Sequence, residues 1–291
     1  MILGLIQGPT ELLPVSSSAH LAMIPRIAGW KRADLDPELL KSFEVALHAG
    51  TALAMVVVRR RELRDGLEEL DARRVAVIGL SFIPPAVIGY LLEDEIENRL
   101  GGPMTTAAGL VAGALLMAIA DLRPQVRGEG QAGPIDGLAL GVAQAAALIP
   151  GVSRNGATLT AARARGFTRE QSNLLSRTVA LPVIAGASLL KATRLARRGV
   201  DRKQIRWLGI GLTTSFLSTV AFSRLIAQVE RDRPLWPWSA YRIAFAALVM
   251  ARLGSTPNRR SYVVESEAME SAEGQSPRSV RRASRPEGST S

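Results

Sequence analysis

None of the 291 residues is a cysteine, which removes disulfides, zinc–thiolate sites, iron–sulfur clusters and cysteine nucleophiles from consideration. Histidine is nearly absent as well. His20 and His48 are the only two, too few for a histidine-rich metal centre. Aromatic residues make up 4% of the chain and charged residues 21%. The charge is one-sided: 36 Lys and Arg against 26 Asp and Glu give a formal net charge of +10. That excess by itself points to nucleic acid or to an anionic membrane surface. The mean hydropathy of +0.14 is modest for a membrane protein, but an average hides arrangement.

The arrangement decides the class. Apolar blocks recur at 43–58, 75–92, 105–120, 178–190, 207–229 and 236–253, separated by short charged clusters such as Arg59, Arg60 and Arg61. The last two blocks open on Trp207 and Trp236, a residue favoured at the membrane interface. Several blocks fall short of the ~20 residues that cross a bilayer upright. A soluble bundle of buried helices is the competing reading. The repeated uncharged blocks, with 26 Gly and 16 Pro, favour membrane helices, in which both residues are more frequent than in soluble ones. The pattern predicts an all-α polytopic membrane protein with about six spanning helices, lipid as its surroundings and no nucleic-acid partner.

Two further apolar segments are interrupted. Segment 2–24 contains Gln7, Glu11, three consecutive serines and His20; segment 135–162 contains Gln144, Ser153, Arg154 and Asn155. Each has a central proline, Pro14 or Pro150, followed by small polar residues. Proline removes a backbone donor, and polar side chains need partners in hydrocarbon, so neither segment suits a lipid-facing span. Broken backbone at membrane depth is tolerated where it lines a protein-enclosed or watery cavity. Both segments therefore predict re-entrant helix pairs.

The two segments also suggest an internal repeat. With Pro14 laid over Pro150, Leu12 meets Leu148, Leu13 meets Ile149 and Ser17 meets Ser153. Each segment is followed by one apolar span and then a basic stretch, the order of elements expected of an inverted repeat with broken helices. A signal peptide is the rival account of the apolar start, but Glu11 and His20 interrupt any h-region. Residues 1–253 thus read as one membrane domain. From 254 to 291 the chain is rich in Ser, Arg, Glu, Pro and Gly and cannot bury enough apolar surface to offset ordering, so this tail is predicted to be disordered. Its arginine-rich stretch 278–285 reads as solvated rather than as a lipid anchor.

The chemistry belongs to the interrupted segments, because ionisable groups at membrane depth are costly and usually functional. Glu11, the hydroxyls of Ser16, Ser17 and Ser18, and His20 offer a base or metal ligand, a nucleophile and an acid. Arg154 carries a planar fork suited to phosphate oxygens. Gly151 and Gly156 could expose backbone N–H groups as an anion nest. Each has a plainer reading: Ser17 as a helix cap after Pro14, His20 as a structural hydrogen-bonder, Arg154 as a surface charge. Phosphoester hydrolysis and proton-coupled transport both remain open at this level. His48 sits one helical turn after Glu44 in an apolar span and is expected to pair with it, outside the site.

QGPTELLPVSSSAHL resembles the motif EGxTEFLPxSSxGH of the undecaprenyl-diphosphate phosphatases, the bacitracin-resistance phosphatases, and LIPGVSRNGATL resembles that family's PGxSRSG. The resemblance covers about 1–253. It implies six spanning helices and two re-entrant pairs in an inverted repeat, with the site open to the outer face of a bacterial plasma membrane. The implied activity removes the terminal phosphate of undecaprenyl diphosphate, regenerating the carrier lipid of peptidoglycan synthesis. Glu11, Ser17 and His20 match the first motif's second glutamate, second serine and histidine; Ser153 and Arg154 match the second motif's serine and arginine. The implied catalytic set is Glu11, Ser17, His20 and Arg154, with Arg154, Ser153, Gly151, Gly156, Asn155 and Ser16 around the substrate. The implied cofactor is a divalent cation, Mg²⁺ or Ca²⁺, on Glu11 and Gln7. In that scheme Ser17 attacks or orients water, and His20 transfers a proton.

Three positions depart from the pattern. Gln7 replaces a glutamate, Ala19 a glycine and Asn155 a serine. Gln7 matters most, since the family pattern pairs two carboxylates one helical turn apart. A lipid transporter and a non-hydrolysing polyprenyl-diphosphate binder are the alternatives, the second kept in play by Gln7. Basic residues divide almost evenly between the two sets of loops, so the positive-inside rule gives no orientation. A homodimer is compatible with the sequence.

Overall fold

A computed structural model describes residues 1–30, 37–68, 70–198, 201–230 and 233–254 of the protein. The regular elements among them are helices, and no strand occurs among the described residues. In chain order they are α1 (Ile2–Leu12), α2 (Ser17–Ile27), α3 (Pro37–Val58), α4 (Arg60–Glu68), α5 (Ala72–Leu100) and α6 (Pro103–Asp121). There follow α7 (Pro134–Ala146), α8 (Arg154–Ala164), α9 (Arg169–Arg198), α10 (Arg202–Glu230) and α11 (Trp236–Leu253). The expected tail lies, beyond Gly254, outside the described residues.

Among the described residues four helices are long and apolar enough to cross a membrane: Ala72–Leu92, Pro103–Asp121, Arg169–Leu190 and Arg202–Ile226. Ser42–Val58 and Arg60–Glu68, bent by 70° at the break between them, pass the same test only together, and make a fifth crossing if the pair is one broken span. This is a multi-pass membrane protein. Large apolar side chains such as Leu91, Leu116, Ile119, Leu189 and Leu217 are exposed along these helices, the surface that a lipid solvent requires. The sixth expected span does not meet the same measure. α11 is long enough at 18 residues, but Arg242, Arg252 and its polar first turn leave it less apolar than the other spans. The bend after Val58 also departs from expectation: the arginines at 59–61 do not end the helix in a loop but open α4.

Both interrupted segments form helical hairpins, α1–α2 and α7–α8. Exchanging α1 with α7, α2 with α8, α3 with α9, α5 with α10 and α6 with α11 carries the main packing pattern onto itself. α1 packs on α10 as α7 packs on α5; α2 touches α11 as α8 touches α6; α3 packs on α10 as α9 packs on α5. With the short α4 set aside, three helices follow each hairpin (α3, α5 and α6; α9, α10 and α11), the odd number that an inverted repeat requires.

Matched glycine pairs make these hairpins fit. Gly4 and Gly8 lie one turn apart on α1, and Gly137 and Gly141 one turn apart on α7. A methyl group on Gly8 would come within 2.7 Å of the Thr219 backbone nitrogen on α10; one on Gly137 would come within 2.7 Å of Val77 Cα on α5. Small residues at this spacing let membrane helices approach backbone to backbone.

One end of the second half is fastened by charge. The Asp121 carboxylate at the end of α6 accepts from Arg163 Nε of α8 at 2.9 Å, from Arg169 of α9 at 3.1 Å and from the Leu235 backbone N–H at 2.9 Å. The Arg163 side chain is wholly buried. Removing a buried counter-charge leaves the other ion uncompensated, at a cost of about 3–5 kcal/mol. Asp121→Asn is therefore expected to lower the melting temperature of the detergent-solubilised protein sharply, and an unchanged melt would remove this clamp from the stability account.

Candidate active site

The geometry of the site starts at the two breaks. Residues Leu13–Ser16 separate α1 from α2, and Ala147–Ser153 separate α7 from α8. Ser16 and Ser153, the last residues before α2 and α8, are the only non-glycine residues with positive φ among those described, at 73° and 68°. Such conformations cost on the order of 1–3 kcal/mol and persist only where the surroundings enforce them. Ser16 is therefore the counterpart of Ser153. The sequence overlay, which set Ser17 on Ser153, is out by one residue because the second break is longer. In the corrected register Ser17 and Arg154 are equivalent, each the first residue of its hairpin's second helix.

These two equivalent residues converge on Glu11, whose side chain is 6% exposed. Ser17 Oγ donates to Glu11 Oε2 at 2.5 Å. Arg154 Nη2 donates to Glu11 Oε1 in a partly buried ion pair. Gln7, one turn earlier on α1 and fully buried, donates from Nε2 to Glu11 Oε2 at 3.3 Å. His48 of α3 brings Nδ1 to 3.4 Å from the same oxygen and to 3.1 Å from Gln7 Nε2. His48 thus joins the cluster from which the sequence reading left it out. The fold brings α3 against α1, and spacing along α3 alone cannot show that.

The other expected residues are placed differently. His20 is buried and does not reach Glu11 by any hydrogen bond among the described residues. Its Nδ1 lies 2.7 Å from the Ser16 carbonyl and its Nε2 2.7 Å from the Tyr241 hydroxyl. A carbonyl can only accept, so Nδ1 donates and Nε2 of the neutral ring accepts from Tyr241. The ring stacks on Phe245 with centroids 4.2 Å apart. Ser16 Oγ faces Ser18 Oγ at 3.3 Å. Ser153 Oγ caps α8 by accepting from the Gly156 N–H at 3.2 Å, so that N–H is engaged. Gly151, at φ 94°, packs against α6, where a methyl group would lie 2.8 Å from the Leu110 nitrogen. Neither glycine lines the cavity described below. Of the N–H groups expected in an anion nest, that of Gly156 is thus taken by Ser153 Oγ.

Asn155 is a latch. Its Nδ2 donates to the Leu12 carbonyl at 2.8 Å, and its Oδ1 accepts from Ser176 Oγ of α9 at 2.9 Å. It joins the end of α1 to α8 and α9. A second latch comes from α11. Arg242, fully buried, donates from Nη2 to the Val152 carbonyl at 2.7 Å and the Gly151 carbonyl at 3.0 Å. Neighbouring residues of one helix thus hold both breaks, Tyr241 through His20 and Arg242 directly. An arginine inside an apolar span was the signal available in the sequence.

A small cavity, partly open to its surroundings, lies beside this cluster. Glu11, Arg154 and Asn155 line it on the hairpin side, Arg59 on the α3 side, and Asn173 and Arg177 on the α9 side. The lining holds one carboxylate and three guanidinium groups, a setting for a multiply charged anion.

Among the described residues no group of three or more His, Asp or Glu could hold a metal ion. The Glu11–Gln7 pair still fits a partial site. Gln7 turns its Nε2 toward Glu11, while its Oε1 is buried without a hydrogen-bond partner; rotation of the amide would set a carbonyl beside the carboxylate, a donor type that hard cations accept, with water or substrate oxygens completing the shell.

Comparison with known proteins finds related chains along most of the sequence. The family model described as bacitracin resistance protein BacA matches residues 1–248. An undecaprenyl-diphosphatase of Geobacter sulfurreducens is 37% identical over 265 residues, covering 87% of this chain and 96% of the relative. Undecaprenyl-diphosphatases of Marinobacter nauticus and Rubrobacter xylanophilus are 34% and 36% identical, each covering 87% of this chain and 97% of their own.

Proposed function

The chain belongs to the bacitracin resistance protein BacA family, and from that premise we propose how it acts as an undecaprenyl-diphosphate phosphatase. The reaction converts undecaprenyl diphosphate and water into undecaprenyl phosphate and inorganic phosphate. It returns the lipid carrier to cell-wall synthesis and, by lowering the pool of the diphosphate, gives bacitracin resistance. The observation that carries the mechanism is the convergence of Ser17 and Arg154, the first residues of two symmetry-related helices, on Glu11.

The terminal phosphate enters the cavity against Arg154, whose fork turns from Glu11 to the phosphate oxygens and stabilises the charge that develops there. Glu11 accepts the proton of Ser17 Oγ, to which it is already hydrogen-bonded. Ser17 Oγ forms a bond to the terminal phosphorus as the bridging P–O bond breaks, and undecaprenyl phosphate leaves. Water then attacks the seryl phosphate; the P–Oγ bond breaks as Glu11 returns its proton to Ser17 Oγ, and the water's hydrogens leave on the released phosphate. His20 holds the Ser16 carbonyl and thereby the strained turn from which Ser17 projects. Gln7 and Glu11 would hold a divalent cation, which supplies neutralisation of phosphate charge when bound. His48 keeps the Gln7 amide and the Glu11 carboxylate in register.

We place the protein in the bacterial plasma membrane with the cavity toward the outer face, as the family resemblance implies. The hydrolase and transporter readings separate in proteoliposomes. The proposal expects phosphate release from polyprenyl diphosphate without net lipid flux across the bilayer. Lipid flux without phosphate release would favour the transporter, and binding without either would favour a non-hydrolysing receptor.

A further inference from the structure

The cavity has a second cationic wall that the mechanism above does not use. On α9, Asn173, Ser176, Arg177 and Ala180 follow the spacing of a single helical face, and all four line the cavity. Ser176 is tied to Asn155 at 2.9 Å, and Asn155 to Leu12 at 2.8 Å. That chain of contacts fixes the α9 face beside Arg154, with Arg177 as the next residue along. From the opposite side Arg59, at the bend between α3 and α4, lines the same cavity. Its side chain is 14% exposed and is held by Glu62 at 2.8 Å. Met55 and Ile226 supply apolar lining.

We propose that Arg177 and Asn173, faced by Arg59, form a subsite for the phosphate that remains on the lipid. The site would then select a diphosphate over a monophosphate. The inference rests on the phosphatase reading and on the assignment of the terminal phosphate to Arg154. The physical argument is charge and geometry. A diphosphate carries about three negative charges near neutral pH, and the Arg154–Glu11 pair alone contributes no net positive charge to meet them. Arg177, whose Nε is buried without a hydrogen-bond partner, supplies a further guanidinium beside the cavity, and Arg59, its charge already met by Glu62, adds N–H donors that can take phosphate oxygens. The apolar lining suits the first isoprene unit, so the lipid phosphate would lie between the Arg177 wall and the chain.

The test uses the full chain in detergent with farnesyl diphosphate as substrate, and with inorganic diphosphate and orthophosphate as competing inhibitors. In the wild type, inorganic diphosphate is expected to inhibit at least about tenfold more tightly than orthophosphate, the effect of one added charge-assisted contact. Arg177→Gln is expected to raise KM about tenfold with kcat within about threefold, and to abolish the preference for diphosphate while leaving orthophosphate inhibition unchanged. Arg177→Lys should recover part of the preference, because charge returns without the fork. Asn173→Ala guards against misfolding of the arginine variants and should weaken the preference in the same direction. A wild-type preference that survives in Arg177→Gln and Asn173→Ala overturns the subsite. Failure of the parent reading looks different: the wild type itself would release no phosphate. Equilibrium binding of farnesyl diphosphate against farnesyl phosphate to the same variants would then still decide the subsite.

Discussion

Arg154→Ala is expected to lower phosphate release by about 10²–10³-fold, the range for losing one preorganised donor to developing charge. The residue starts α8 directly after the strained Ser153 and bridges the hairpins through its pair with Glu11. Arg154→Lys keeps the charge but loses the planar fork, so its turnover should also fall strongly rather than recover. The deletion has a second consequence: it leaves a buried Glu11 carboxylate without its cationic partner. Assays should therefore be read beside elution profiles and melting curves of the same preparations. A folded Arg154→Ala protein with near-normal turnover would remove the residue from phosphate stabilisation.

The other large effect is expected at Glu11, with Gln7 as its foil. Glu11→Gln removes the one carboxylate in the cluster and the acceptor of the Ser17 proton, so turnover should vanish under every cation concentration. Gln7→Glu restores two carboxylates one turn apart on α1. It is expected to lower the half-saturating Mg²⁺ or Ca²⁺ concentration by about tenfold, because ligand charge is a main determinant of affinity for these ions. Titration calorimetry of cation binding to each protein provides a readout independent of turnover. Unchanged cation binding in Gln7→Glu, together with an active Glu11→Gln, would contradict the assignment of this helix face to the metal.

Much of this architecture is legible in the chain. Uncharged blocks broken by basic clusters mark the spans, and a central proline followed by serines marks each hairpin, because such segments cannot satisfy their backbone in lipid. The motifs around Glu11 and Arg154 carry the family resemblance. What the sequence hides is of a different physical kind. His48 reaches Glu11 only because α3 packs against α1, and a periodic pattern reports a helix's face without naming what it faces. The repeat register fails by one residue because the breaks differ in length, and only the matched positive φ of Ser16 and Ser153 reveals the equivalence. His20, expected beside the reacting groups, is drawn into a stack with Phe245 and a hydrogen bond to Tyr241 from the far end of the chain. Arg242 was hidden inside an apolar block, although a buried arginine there needed a backbone partner.

The central claim is that a serine on one hairpin and an arginine on the other act on one phosphate through Glu11. Phosphate release from undecaprenyl diphosphate by purified wild-type and Ser17→Ala protein, matched for folding and for lipid binding, tests it most directly. The account predicts stoichiometric release by the wild type and a loss of about 10³-fold or more in Ser17→Ala, with the substrate still bound. Ser17→Ala turning over at close to the wild-type rate would contradict it.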